Sequence, residues 1–289
     1  MSLSERITQY ALLMRLHRPI GIFLLLWPTL WGLWFASAGR PHGEVLLVFV
    51  LGVVLMRSAG CVINDYADRD FDPHVERTRE RPIAAGRVAP GEALVLFALL
   101  CLTAFALVLT LNRLTILLSF AGAFLAASYP FLKRVTHLPQ FYLGAAFGWS
   151  IPMAFAAETG AVPPLAWVLF AANLCWSVAY DTAYAVVDRD DDVRVGVKST
   201  AILFGTRTRF AVGVFQAATL VLLGIAGVMA HRGAFYFGGV AVAAGFALYH
   251  QWLLHAGTRE NYFKVFLDNN RFGGAIFLGL ILDYYTVTP

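Results

Sequence analysis

Nine apolar runs near 20 residues long recur along this 289-residue chain, at about 20–38, 44–66, 91–111, 114–131, 140–157, 164–187, 209–230, 234–255 and 271–287. That length lets a helix cross the hydrocarbon core of a bilayer. In lipid a backbone must satisfy its own hydrogen bonds, so the spans have to be helical or form a closed barrel. Apolar residues make up 59% of the chain and charged residues 14%, and the mean hydropathy of +0.66 lies outside the range of soluble domains. The expectation is an all-α membrane protein, a single polytopic domain over residues 1–289. Residues 1–19 are polar and basic, and no short apolar segment with a small-residue cleavage site follows, so no cleavable signal peptide is expected. Cys61, Cys101 and Cys175 lie in or beside the spans and read as small packing residues. Trp27, Trp31 and Trp34 share one face of the first span and read as packing side chains. Small residues in AGAFLAAS and GGVAVAAG allow close helix approach in lipid.

The cationic residues orient the chain. With nine spans, only Arg40, Arg113 and Arg232 fall on one side and Arg57 falls within the second span; the rest of the 22 Lys and Arg residues fall on the side of the N-terminus. By the positive-inside rule the N-terminus is cytoplasmic.

Both acidic blocks then lie on the cytoplasmic side. In the first, at about 100° per residue, Asn64, Asp68 and Asp72 fall at about 0°, 40° and 80° and Asp65 at about 100°, while Asp70 points away. Pro73 disfavours helix for the residue before it, which places this face on a helix's last turns. Carboxylates four apart repel, and they sit at the helix end where the macrodipole disfavours them; a bound cation would remove both costs. In the second block Asp181, Asp188 and Asp192 share a face, with Tyr184 and Asp191 at its edge and Asp190 opposite. Gly196 is a plausible helix stop. The blocks lie about 120 residues and four spans apart, as a parallel internal duplication would give.

Arg57, Arg77, Arg79, Arg81, Arg134 and Lys198 flank the two faces. Two acid clusters, oxygen-only ligands and many cations suit a Mg²⁺-bridged diphosphate: Mg²⁺ takes a few carboxylates, waters and phosphate oxygens, and Arg forks take the remaining oxygens. Arg57 lies about two turns inside the membrane from Asn64, and an intramembrane charge is a functional candidate whose natural partners are these acids. For Arg69, Arg87, Arg207 and Arg209 a topology or lipid-contact reading is preferred. The seven histidines are scattered over both sides and form no zinc set.

With these residues in place, the chain resembles the UbiA-type intramembrane aromatic prenyltransferases, and within them the bacterial group acting on 4-hydroxybenzoate. Asn64, Asp65, Asp68 and Asp72 meet the family's NDxxDxxxD motif, and Asp188 and Asp192 its DxxxD motif. The similarity extends over RPIAAGRV (81–88), LKRVTHLPQFYLGAAFGWSIPMAF (132–155) and VGVKSTAILFG (195–205). The resemblance implies nine transmembrane helices around a central cavity under a cytoplasmic cap, in two four-helix-type repeats, in a bacterial inner membrane. It implies Mg²⁺ as cofactor, a polyprenyl diphosphate as donor and 4-hydroxybenzoate as acceptor, prenylated ortho to its hydroxyl in ubiquinone biosynthesis. By analogy Asp68, Asp72, Asp188 and Asp192, with Asn64, would carry metal. Asp65, Asp181, Arg57, Arg77, Arg134 and Lys198 would contact substrates, and Asp191 is a rival for one position of the second motif. Tyr184 is the first candidate to stabilise an allylic cation through its π face. No nucleic-acid partner and no required protein partner are expected. The other readings are another acceptor (homogentisate, dihydroxynaphthoate or haem) and, from a different class, a cation-coupled secondary transporter. Transporter ion sites usually lie near the bilayer midplane on broken helices, whereas both acid clusters here fall at one membrane edge.

Overall fold

The computed structural model describes residues 2–287. Among them the chain forms twelve α-helices and no strand: α1 (Leu3–Leu13), α2 (Ile20–Ala36), α3 (Gly43–Ala67), α4 (Pro90–Val108), α5 (Arg113–Leu132), α6 (Pro139–Gly148), α7 (Ser150–Thr159), α8 (Pro164–Val195), α9 (Thr200–Phe204), α10 (Thr208–Met229), α11 (Ala234–Leu254) and α12 (Arg259–Val287). Among the described residues six helical stretches are both long and apolar enough to cross a membrane: α3, α4, α5, the run through α9 and α10, α11 and α12. The chain is an integral membrane protein.

Three local features depart from the sequence expectation, each for a physical reason, and a first helix on which the sequence reading was silent precedes them. Residues 3–13 form a helix because Ser2 and Glu5 build a capping box, each side chain accepting from the other's backbone N–H. The expected span 140–157 is two helices with a joint at Trp149, whose indole N–H donates to the Leu118 carbonyl on α5 at 2.8 Å. The first acidic face does not stay helical to Asp72. The helix α3 ends at Ala67 with Asp68 as its cap, and Asp72 opens a separate 3-10 turn through Pro73. Finally, α12 begins at Arg259 rather than near 271. The polar run Asp268–Asn269–Asn270 interrupts the apolar pattern, but each side chain is satisfied inside the protein. Asp268 meets His250 on α11 at 3.0 Å, Asn269 accepts from Trp176 on α8 at 2.8 Å, and Asn270 accepts from Trp27 on α2 at 2.8 Å.

The interior is built where α2, α8 and α12 meet. Trp31 and Trp176 are fully buried with ring centroids 5.3 Å apart, and Trp176 also stacks on Phe272 at 5.9 Å. The tryptophan face read from the sequence is thus a packing face towards α8 and α12. Opposite it, Gly239 of α11 meets Gly279 of α12 backbone to backbone. A Cβ at 239 would lie 3.0 Å from the Gly279 Cα, so the missing side chains set the helix spacing in lipid. All three cysteines are free thiols.

Candidate active site

The ends of α3 and α8 form opposite walls of one cavity of about 1110 Å³. From α3 and the turn after it come Arg57, Asn64, Asp65, Asp68 and Asp72; from α8 come Asp181, Tyr184, Asp188 and Asp192; the loops add Arg77 and Lys198. The sequence pattern explains the selection on α8, since 181, 184, 188 and 192 recur at helical spacing. Asp190 and Asp191 do not line the cavity; Asp191 lies 3.6 Å from Arg194 on the same helix. Arg134 also turns away. Its guanidinium donates to the Ala67 carbonyl at the end of α3 and lies 5.2 Å from the centre of the Phe71 ring. A cation at a helix C-terminus satisfies an orphan carbonyl and the dipole together.

Arg15 and Lys133, which the sequence reading did not place beside the acids, line the site, and so does Arg81, which it named among the flanking cations. The buried Asp65 carboxylate pairs with Arg15 at 2.6 Å and Arg81 at 3.2 Å. Asp72 pairs with Arg81 at 2.8 Å. Lys133 pairs with Asp68, and across the cavity Arg77 grips Asp188 with two hydrogen bonds of 2.7 and 2.5 Å. Lys133 had a readable signal: it continues the α5 stripe Ser119, Ala126, Tyr129 that faces the cavity. Arg15 had none, because its aim depends on a left-handed backbone turn (φ 55°) after α1.

Among the described residues no three acidic, histidine or cysteine side chains converge as a ready ligand set; the carboxylates hold basic side chains. They nonetheless suit a hard cation. Asp68 is buried, and its Oδ1 has no hydrogen-bond partner. Its Oδ2 accepts from Asn64 Nδ2 at 3.1 Å, and Tyr129 donates to the Asn64 oxygen at 3.3 Å. Burial pushes the Asp72 carboxyl up to about 6, with Asp68 and Asp65 adding to the rise and Arg81 opposing it. Mg²⁺ needs only one or two carboxylates beside waters and phosphate oxygens, which this donor set supplies.

Arg57 is set apart from the acids of its own helix. Its Nη1 contacts Cys61 Sγ at 2.6 Å, its Nε is buried without a partner, and among the described residues no carboxylate lies within ion-pair distance of it. Asp181, Tyr129 and Tyr180 line the same cavity. Tyr184 packs on Phe266 at 4.7 Å and carries the Arg77 guanidinium 5.3 Å above its ring, so that face already seats a cation. Below the charged end the walls become apolar, with Val53, Phe49 and Val48 of α3 facing Phe105, Val108 and Met153. From Asp68 to Val48 the α3 wall is about 30 Å long at helical rise.

The pattern of the UbiA prenyltransferase family matches residues 25–278, and the chain belongs to that family. It is 60% identical over 283 residues to a 4-hydroxybenzoate octaprenyltransferase of Alkalilimnicola ehrlichii, covering 98% of this chain and 97% of that protein. It is 61% identical over 284 residues to the protein of that name from Nitrosococcus oceani, covering 98% of this chain and all of its relative. Among solved structures it is similar to a UbiA homologue from Aeropyrum pernix, with a TM-score of 0.80 and 27% identity over 91% of this chain and 97% of that one. It shares the fold of an Archaeoglobus fulgidus UbiA homologue bound to GPP and Mg²⁺, with a TM-score of 0.73 and 17% identity over 96% of this chain and 99% of that one.

Proposed function

We propose that this chain is a Mg²⁺-dependent 4-hydroxybenzoate polyprenyltransferase, moving a polyprenyl group from its diphosphate to the ring carbon ortho to the acceptor hydroxyl. The observation that carries the reading is the shared cavity: both acid-bearing helix ends wall one space, cations alternate with the acids, and the space continues into an apolar channel. The names of the relatives support 4-hydroxybenzoate over the other acceptors. Transporter ion sites usually lie at broken helices near the midplane, whereas Asp65, Asp68, Asp188 and Asp192 stand within about two turns of the ends of α3 and α8.

Asp68, Asp72, Asp188 and Asp192, with Asn64, would hold Mg²⁺, which when bound neutralises and polarises the diphosphate. Arg77, Lys133 and Lys198 would then turn from their protein partners to the diphosphate oxygens, and Arg81 would leave Asp72 for them while Asp65 keeps it and Arg15 in place. As the allylic C–O bond breaks, its electron pair leaves with the diphosphate. The Tyr184 face, backed by Phe266, lies where an allylic cation gains from π electrons. Arg57 takes the acceptor's carboxylate, with Asp181 beside it, and the apolar walls keep water from the cation. The ring carbon then forms the new C–C bond, and loss of its proton restores aromaticity. Nine crossings follow if α6 and α7 together count as one beside α2, α3, α4, α5, α8, α10, α11 and α12. On that count residues 1–289 form one domain with two four-helix-type repeats and a cytoplasmic cap, in a bacterial inner membrane with the N-terminus inside.

The test is to incubate purified protein with Mg²⁺, polyprenyl diphosphates and a panel of aromatic acids and to identify products by mass. A prenylated 4-hydroxybenzoate is expected; no product with any acid rejects the reading. A sharper contrast comes from adjacent residues. Lys133→Ala is expected to raise the donor KM about tenfold to a hundredfold, the loss of a hydrogen bond between charged groups. Arg134→Ala is expected to leave that KM within about twofold and to lower the melting temperature, because its bond is to the α3 terminus. Steady-state kinetics beside thermal unfolding in detergent decides between them, and equal donor defects would refute the assignment.

A further inference from the structure

Gly21, in the first turn of α2, is the place where α2 and Arg57 meet. Gly21 is buried and lines the cavity beside Arg57. A Cβ built there would overlap Nε, Nη2 and Cζ of Arg57, the last at 2.7 Å. The guanidinium therefore turns its Nε–Nη2 edge to the α2 backbone, in a space that only glycine leaves open. This is an odd seat for a cation. The first turn of a helix carries the positive end of the macrodipole, and no side chain caps α2. The Arg57 Nε is buried and unpartnered. A cation held against a positive helix end, with no carboxylate among the described residues within ion-pair distance, is a seat made for an anion that comes and goes.

We propose that Gly21 is a positioning residue: by having no side chain it holds the Arg57 guanidinium against the start of α2, where it grips the carboxylate of the aromatic acceptor and selects carboxylated phenols over neutral ones. This rests on the acceptor reading above. The atoms that a new Cβ would meet are the far end of a flexible side chain rather than backbone. Gly21→Ala therefore displaces the guanidinium and leaves the helix in place; alanine is also the better helix former.

The experiment is steady-state kinetics on four forms of the full-length enzyme: wild type, Gly21→Ala, Arg57→Ala and the double variant. Thermal unfolding is measured alongside. Gly21→Ala is expected to raise the KM for 4-hydroxybenzoate about tenfold or more, the scale of a lost charge-assisted contact. The polyprenyl diphosphate KM should stay within about twofold and the melting temperature near that of wild type. The preference for 4-hydroxybenzoate over its uncharged amide should fall with it. In the Arg57→Ala background the Gly21→Ala change should add nothing, because its effect passes through the missing guanidinium. Additive effects, an unchanged acceptor KM, an equal rise in both KM values, or loss of the fold in Gly21→Ala each overturn the proposal. If wild type transfers prenyl to no aromatic acid, the acceptor reading itself fails, and the two failures are distinct.

Discussion

Asp68→Asn is expected to lower Mg²⁺-dependent prenyl transfer about 10³-fold, on the scale of removing a principal charge-stabilising contact from a transition state. The substitution keeps the size of the side chain and removes its charge. Asp68 is the carboxylate with a buried, unpartnered oxygen, at the point where Asn64 and Lys133 converge. Lys133 keeps about a fifth of its side chain exposed and can be hydrated when its partner goes, so the fold should survive. Asp188→Asn should act alike from the other wall, releasing Arg77. Transfer rates at saturating Mg²⁺, with melting temperatures as a control, check both. Near-normal turnover in either folded variant would remove that carboxylate from the metal role.

The largest expected effect on stability lies away from the cavity's acids. Trp176→Ala should destabilise the protein by about 3 kcal/mol, the lower end for deleting a buried Trp. Within a bilayer the surrounding lipid is as apolar as the side chain, so the loss is mainly of packing and of a hydrogen bond rather than of hydrophobic transfer. Trp176 touches Trp31, Tyr180 and Phe272 and donates to Asn269. Its removal unties α8 from both α2 and α12. Reversible unfolding in mixed micelles measures the difference; Trp176→Phe, which keeps most of the packing and loses the bond, should cost about 1 kcal/mol.

The membrane class was legible because lipid forces the backbone into long apolar helices, and the acid stripe on α8 was legible because helical spacing alone decides it. Other features depended on distant partners. The carbonyl that ends α3 at Ala67 is met by Arg134 from the α5–α6 loop, and that same contact takes Arg134 out of the cavity. Arg15 reaches Asp65 only through its turn after α1. The start of α12 was misplaced because hydropathy scores Asp268 to Arg271 as polar, whereas His250, Trp176 and Trp27 make that polarity compatible with burial.

That trio fixes more than stability. Three successive side chains on α12 face three different helices about 100° apart, so they specify both the rotation of the helix and its depth. Deleting a single residue just before Asp268 would turn each of them towards its neighbour's partner, breaking all three bonds at once. A helix held this way tolerates changes in what it displays but not in how it is counted: α12 can accept many substitutions on its lipid face and no insertion.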